Sequence, residues 1–159
     1  MSIANIWKPH VTVAAVVEQA QRFLLVEEET DDGLRYNQPA GHLDPGESLV
    51  AAVRREAIEE TARRFEPTAL IGIYRHEVAP GGPTYIRFAF CGDAGARDES
   101  RTLDAGIVRT VWMTLEELRD SAPRHRTPLV LRCVEDYLAG RRYPLDVLRN
   151  GPMTDHGTP

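Results

Sequence analysis

A layered sandwich of α/β or α+β type is the fold this sequence predicts. Three observations point to it. Several short segments are rich in β-branched and aromatic residues. Two well-separated segments carry helical apolar spacing with clear start and stop signals. Turn chemistry punctuates the chain throughout, with no break that reads as a linker between domains. The length of 159 residues suits one domain, taken here as residues 1–149 with a flexible tail over 150–159.

The elements follow in order. Val11 to Val17 is nearly continuous in apolar residues, so it reads as a strand buried on both faces. Glu18 to Gln21 reads as a turn, and Arg22 to Glu27 as the second strand of a hairpin with it. Glu28 to Gly33 is expected to be an acidic loop, and Arg35 to Gly41 an extended segment broken at Pro39. Asp44-Pro45-Gly46 is a turn. Glu47 or Ser48 then caps a helix running from about Leu49 to Arg64, with Pro67 beyond its exit. Strands follow at 70–78 and 85–91, joined by the loop Ala79-Pro80-Gly81-Gly82-Pro83, and residues 93–105 read as a polar surface loop. The last strand is 107–113. Thr114 caps a short helix with Glu117 in the capping-box position. Thr127-Pro128 opens a final helix over 129–138, stopped at Gly140. Phe90 and Trp112 are expected in the core.

Composition narrows the function. A hydrophobic share of 42% against 27% charged residues supports a packed core. The net charge of −5 gives no basic footprint, so no nucleic-acid polymer is expected as a partner. No apolar run is long enough to cross a membrane, and the N-terminus shows no apolar signal core, so a cytoplasmic protein is expected. Cys91 and Cys133 match no metal or redox spacing and read as reduced core residues.

The chemistry concentrates in Gly41 to Arg63. Glu56, Glu59 and Glu60 fall within roughly a 100° arc of the helix. A solvated charged face does not explain them, because Leu49, Val50, Val53, Ala57 and Ile58 make much of the girth apolar. Carboxylates emerging from a partly buried surface repel one another unless a cation sits among them. Hard oxygen ligands beside a Gly-Pro loop suit Mg2+, with Mn2+ as a substitute.

The spacing of Gly41, Glu47, Arg55-Glu56 and Glu59-Glu60 resembles the signature box of the Nudix hydrolase family. Two positions depart from it: Ala62 stands where a glycine is usual, and Arg63 where an apolar residue is usual. The resemblance implies an α/β/α sandwich with a mixed β-sheet and hydrolysis of a diphosphate linked to another group. It further implies that Glu56, Glu59, Glu60 and the Ala40 carbonyl bind the metal. Arg55 would brace Glu47, and Glu60 or Glu59 would act as base. In some members the base lies outside the box, where Glu77 and Asp104 are candidates here.

Further segments resemble a bacterial phosphatase branch of that family: Lys8 to Ala14, Asn37 to Leu43, Pro128 to Val130, and Gly140 to Leu145. That likeness implies removal of a terminal phosphate from small pyrophosphate esters: thiamine pyrophosphate, hydroxymethylpyrimidine pyrophosphate, and nucleoside di- and triphosphates. Candidate substrate contacts are Tyr36 by stacking, Asn37 and Gln38 by hydrogen bonding, and Lys8, His10 and Arg87 toward phosphate. The protein would be a monomer or homodimer acting on a small molecule. Two alternatives stand beside this. One is a family member that releases pyrophosphate or cleaves ADP-ribose-type substrates. The other is a non-catalytic ligand-binding domain, for which residues 1–159 leave no room for an accompanying DNA-binding segment.

Overall fold

The computed structural model describes residues 6–151; the expected tail falls outside the described residues from position 152 onward. The strands are β1 (His10–Val16), β2 (Glu18–Gln19), β3 (Arg22–Thr30), β4 (Gly33–Asn37), β5 (Ala40–His42), β6 (Arg63–Glu77), β7 (Thr84–Arg97) and β8 (Ile107–Met113). The helices are α1 (Leu49–Thr61), α2 (Leu115–Asp120) and α3 (Leu129–Leu138). One sheet has the order β5-β1-β7-β6 and is mixed, since β1 and β7 run parallel while the other pairs are antiparallel. The second sheet pairs β3 with β2, β4 and β8, all antiparallel.

The two sheets form the middle layer. One apolar cluster joins Val13, Val17, Leu24 and Phe90 to Ala52, Val53 and Ala57 of α1. The other joins Val16, Phe23, Leu25 and Ala89 to Leu118 of α2 and Val130, Cys133 and Val134 of α3. Each sheet therefore buries both faces, as the continuous apolar run of β1 requires. Phe90 is fully buried, and Trp112 packs partly buried against the α1 cluster. Cys91 and Cys133 are buried and unpaired. Among the described residues no helix is long and apolar enough to cross a membrane.

Several boundaries differ from the sequence reading. β1 and β3 do not form one long hairpin. The chain changes sheet at Val17, and only Glu18 and Gln19 pair with β3 across a tight turn at Ala20-Gln21. Both turn residues have positive φ, +49° and +61°. That conformation matches the twist of paired strands, but non-glycine residues adopt it at a cost. The expected acidic loop is mostly strand: β3 runs on to Thr30 and turns only at Asp31-Asp32.

Helix α1 begins as read, with the Ser48 hydroxyl accepting from the Ala51 N–H at 3.0 Å. It ends three residues early. Ala62 takes the left-handed conformation at φ 55° and turns the chain into β6 at Arg63. Pro67 lies inside β6 rather than in a loop. β6 is the sheet edge and shifts register between Pro67 and Ala69, which is where a residue without an N–H is tolerated. Residues 93–97 extend β7 opposite this longer β6 and are not surface loop. Pro128 is the cap of α3, not its first helical residue. The capping box at Thr114 and Glu117 forms as expected.

Ala20 and Gln21 are exposed, so their side chains contribute little burial to offset the backbone cost. Replacing them with Asn-Gly is expected to raise the unfolding free energy by about 1 kcal/mol in urea titration, within the 1–2 kcal/mol per residue of left-handed strain.

Candidate active site

Arg55 is the hub of the site. Its Nε and Nη2 donate to the two oxygens of Glu47 at 3.0 and 2.6 Å. Nη1 donates to Glu56 at 2.7 Å and to Glu59 at 3.1 Å, and Nη2 also reaches the His42 carbonyl at 2.9 Å. One planar fork thus fixes the loop 41–47 against α1 and neutralises part of the acidic arc. The hydrogen bonds from Arg55 hold the Glu47 carboxyl below its ordinary range, and the same bonds, first that to Glu47, raise the guanidinium above its own.

Glu56 and Glu60 are each 8% exposed. Burial is the main reason both titrate above the usual carboxylate range. For Glu56, Arg55 opposes this while Glu59 and Asp104 add to it. Glu60 is pushed up to about 8 by burial and by the charges of Glu56, Glu28 and Asp104, against one hydrogen bond from the Ala40 N–H at 3.0 Å. Gly41 is required beside them: a Cβ there would lie 2.1 Å from the Glu56 carboxylate.

Among the described residues no three Asp, Glu, His or Cys side chains are grouped closely enough to hold a metal ion. Glu56 and Glu59 instead share Nη1 of Arg55. The chemistry of the donors nevertheless fits a divalent cation. Their atoms are hard oxygens, and at Glu56 and Glu60 burial together with like charge disfavours the ionised form, a penalty that a cation relieves.

The substrate candidates separate into groups. Asn37, Gln38 and Arg87 come together, as the guanidinium donates to Gln38 and to Asn37 at 3.2 Å each. Arg87 was expected to reach toward phosphate; it is only 6% exposed, and burial lowers its pKa. Gln38 is tied further, donating to the Val130 carbonyl at 2.7 Å, so this trio braces the approach to Ala40. Tyr36 belongs to the core, and its ring is covered by the Arg124 guanidinium at 4.4 Å. The ring face expected to stack on a ligand is therefore occupied. Lys8 is exposed ahead of β1, while His10 lies at the rim against His42 and Tyr85. Of the bases outside the box, Asp104 is attached to α1, its N–H donating to the Glu59 carbonyl at 3.0 Å. Glu77 serves its own hairpin, accepting from Gly81 and pairing with Arg75.

Sequence reading missed Glu28. This strand residue is pushed up by burial, keeps a buried Oε1 without a hydrogen-bond partner, and lies 3.4 Å from Arg126. Its charge acts on Glu60. Ending β3 at Glu27 hid it; recognising the Asp31-Asp32 turn would have placed it on the inner face.

A model of the NUDIX domain matches residues 8–132. Phosphatase NudJ of Escherichia coli K12 is 37% identical over 150 residues, spanning 93% of this chain and 97% of that protein. A solved NUDIX hydrolase from Nitrosomonas europaea is 52% identical with a TM-score of 0.87, covering 91% of this chain and 98% of the other. A MutT NUDIX hydrolase from Burkholderia pseudomallei, at 21% identity and a TM-score of 0.69 over 82% and 98% of the two chains, shares the fold.

Gly41→Ala meets only the tip of the Glu56 side chain, so it should displace that carboxylate rather than unfold the protein. The expected outcome is an unfolding midpoint close to wild type with Mg2+ half-saturation of activity weakened about 10- to 100-fold, as when a supporting partner of a metal ligand is lost.

Proposed function

Because the chain belongs to the Nudix hydrolases, enzymes that act on phosphoanhydride bonds, we propose that it removes the terminal phosphate from small pyrophosphate esters with the help of Mg2+ or Mn2+. Thiamine pyrophosphate, hydroxymethylpyrimidine pyrophosphate and nucleoside di- and triphosphates are the substrates of this reading. The buried pair Glu56 and Glu60, set against the backbone of Ala40 and Gly41, is the observation that carries it. The likeness to a protein named a phosphatase supports terminal-phosphate release in particular. We take residues 1–149 as the catalytic domain of a cytoplasmic monomer or homodimer.

Glu56, Glu59, Glu60 and the carbonyl of Ala40 would hold the cation. When bound, it supplies charge neutralisation at the phosphate oxygens and a lowered pKa for water. The chain's own residues do the rest. Arg55 and Glu47 keep the loop 41–47 seated on α1, so that the backbone and the carboxylates face the same phosphate. Water attacks the terminal phosphorus in line, forming one P–O bond as the bridging P–O bond breaks, and the shortened phosphate ester leaves. The attacking water gives its proton to a carboxylate. Glu60 takes this proton when Glu56, Glu59 and the Ala40 carbonyl hold the cation without it: its Oε2 accepts from the Ala40 N–H, and its Oε1 receives the proton.

Product analysis tests this. Wild type with Mg2+ is expected to convert thiamine pyrophosphate and nucleoside triphosphates with inorganic phosphate as the released product. Glu60→Gln is expected to lose at least about 100-fold in kcat, the lower end for removal of an acid–base group. Release of pyrophosphate, turnover of ADP-ribose alone, or a Glu60→Gln variant within a few-fold of wild type would overturn the assignment.

A further inference from the structure

The stacking surface expected at Tyr36 is blocked, and another set of rings stands on and beside the strand that carries Ala40. His10 lies against Tyr85 with ring centroids 4.9 Å apart and planes 23° from parallel. His42 meets His10 edge-on at 5.3 Å and Tyr85 at 6.2 Å, and the His10 and His42 rings share a hydrogen bond of 3.2 Å between Nδ1 and Nε2. His10 and His42 are exposed, and Tyr85 is half-buried.

The strand registers fix what this cluster adjoins. His10 pairs with Tyr85, Thr12 with both Arg87 and His42, and Ala14 with Ala40. Paired residues share a face, and so do alternate residues along a strand. The rings therefore occupy the same face of the sheet as Arg87 and Ala40, with His42 level with Arg87 and with His10 and Tyr85 one pleat beyond it. Along β5, His42 is two residues from Ala40, a separation of about 7 Å. The loop is also tied directly to the hub, because the His42 carbonyl accepts from Arg55. Flat ring faces at an exposed edge, on the strand that also carries Ala40, define the occupant.

We propose that His10, His42 and Tyr85 form the platform on which a heteroaromatic ring of the substrate stacks, a ring joined to the diphosphate by only a short linker. This inference rests on the phosphatase reading above and adds the residues that hold the ring of the leaving group. His10 then contacts the ring rather than phosphate, and the buried Arg87 is a positioning residue behind it.

The test compares kcat/KM for thiamine pyrophosphate with that for n-butyl diphosphate, which has no ring. In Tyr85→Ala the ratio should fall about tenfold, within the range for removing an aromatic that stacks on a base. His10→Ala, at an exposed position, should lower the ratio in the same direction. Tyr85→Phe keeps the ring and should retain the wild-type ratio. An unchanged ratio in both alanine variants, or equal loss in Tyr85→Phe and Tyr85→Ala, would overturn the platform. If wild type cleaves n-butyl diphosphate but not thiamine pyrophosphate, the platform fails while the reaction stands. If it cleaves neither, the platform fails, and if nucleoside triphosphates also stay intact the reaction fails with it.

Discussion

The guanidinium of Arg55 is the interaction on which the site depends. Glu56, Glu59 and Glu60 occupy one arc of α1, and two of them are buried. Burial and like charge both oppose ionisation there. Arg55 offsets part of this by contacting Glu56 and Glu59 directly, and it spends its remaining donors on Glu47 and the His42 carbonyl. Loop and helix are thus held by the same group that makes the carboxylate cluster tolerable. Glu60 has no arginine among its hydrogen-bond partners, and burial pushes it up to about 8. The residual electrostatic debt falls on the carboxylate assigned to the reaction.

The fold supplies the rigidity this arrangement needs. Helix α1 packs on residues of both sheets, through Val13 and Phe90 of one and Leu24 of the other. It cannot shift relative to β5 without disturbing that core. β5 is short, but it is paired to β1, and the Pro39 carbonyl accepts from the Ala15 N–H at 2.9 Å. Behind it, Arg87 holds Asn37 and Gln38, and Gln38 is anchored to α3 through Val130. The path from α3 to Ala40 is continuous hydrogen bonding and packed backbone, so the carbonyl and the ring cluster beyond it keep their positions.

The acidic helix and its loop were legible in the sequence because their signals are local. Carboxylate spacing, the Pro45-Gly46 turn and the Ser48 cap lie within one element and its lead-in. Ala62 is instructive: the position that departs from the family pattern still takes the left-handed conformation a glycine would favour, and it shortens the helix. The misread parts depend on distant partners. The burial of Tyr36 requires Arg124 and the α3 layer, which no local pattern around Tyr36 announces. Arg87 alternates like a surface residue, yet its neighbours Asn37 and Gln38 come from the end of β4 in the other sheet and the residue after it. Glu28 was hidden by an apparent loop that pairing with β4 turns into strand. The ring cluster arises only because β1 lies parallel to β7 and antiparallel to β5.

That buried carboxylates beside Ala40 form a cation site is the central claim, and direct binding tests it without reference to any substrate. Mn2+ titration followed by electron paramagnetic resonance should show ion taken up by wild type. The Glu56→Gln/Glu60→Gln variant should bind it more weakly by at least the tenfold that losing an outer partner of a ligand already costs. Equal uptake by the two proteins would contradict the account.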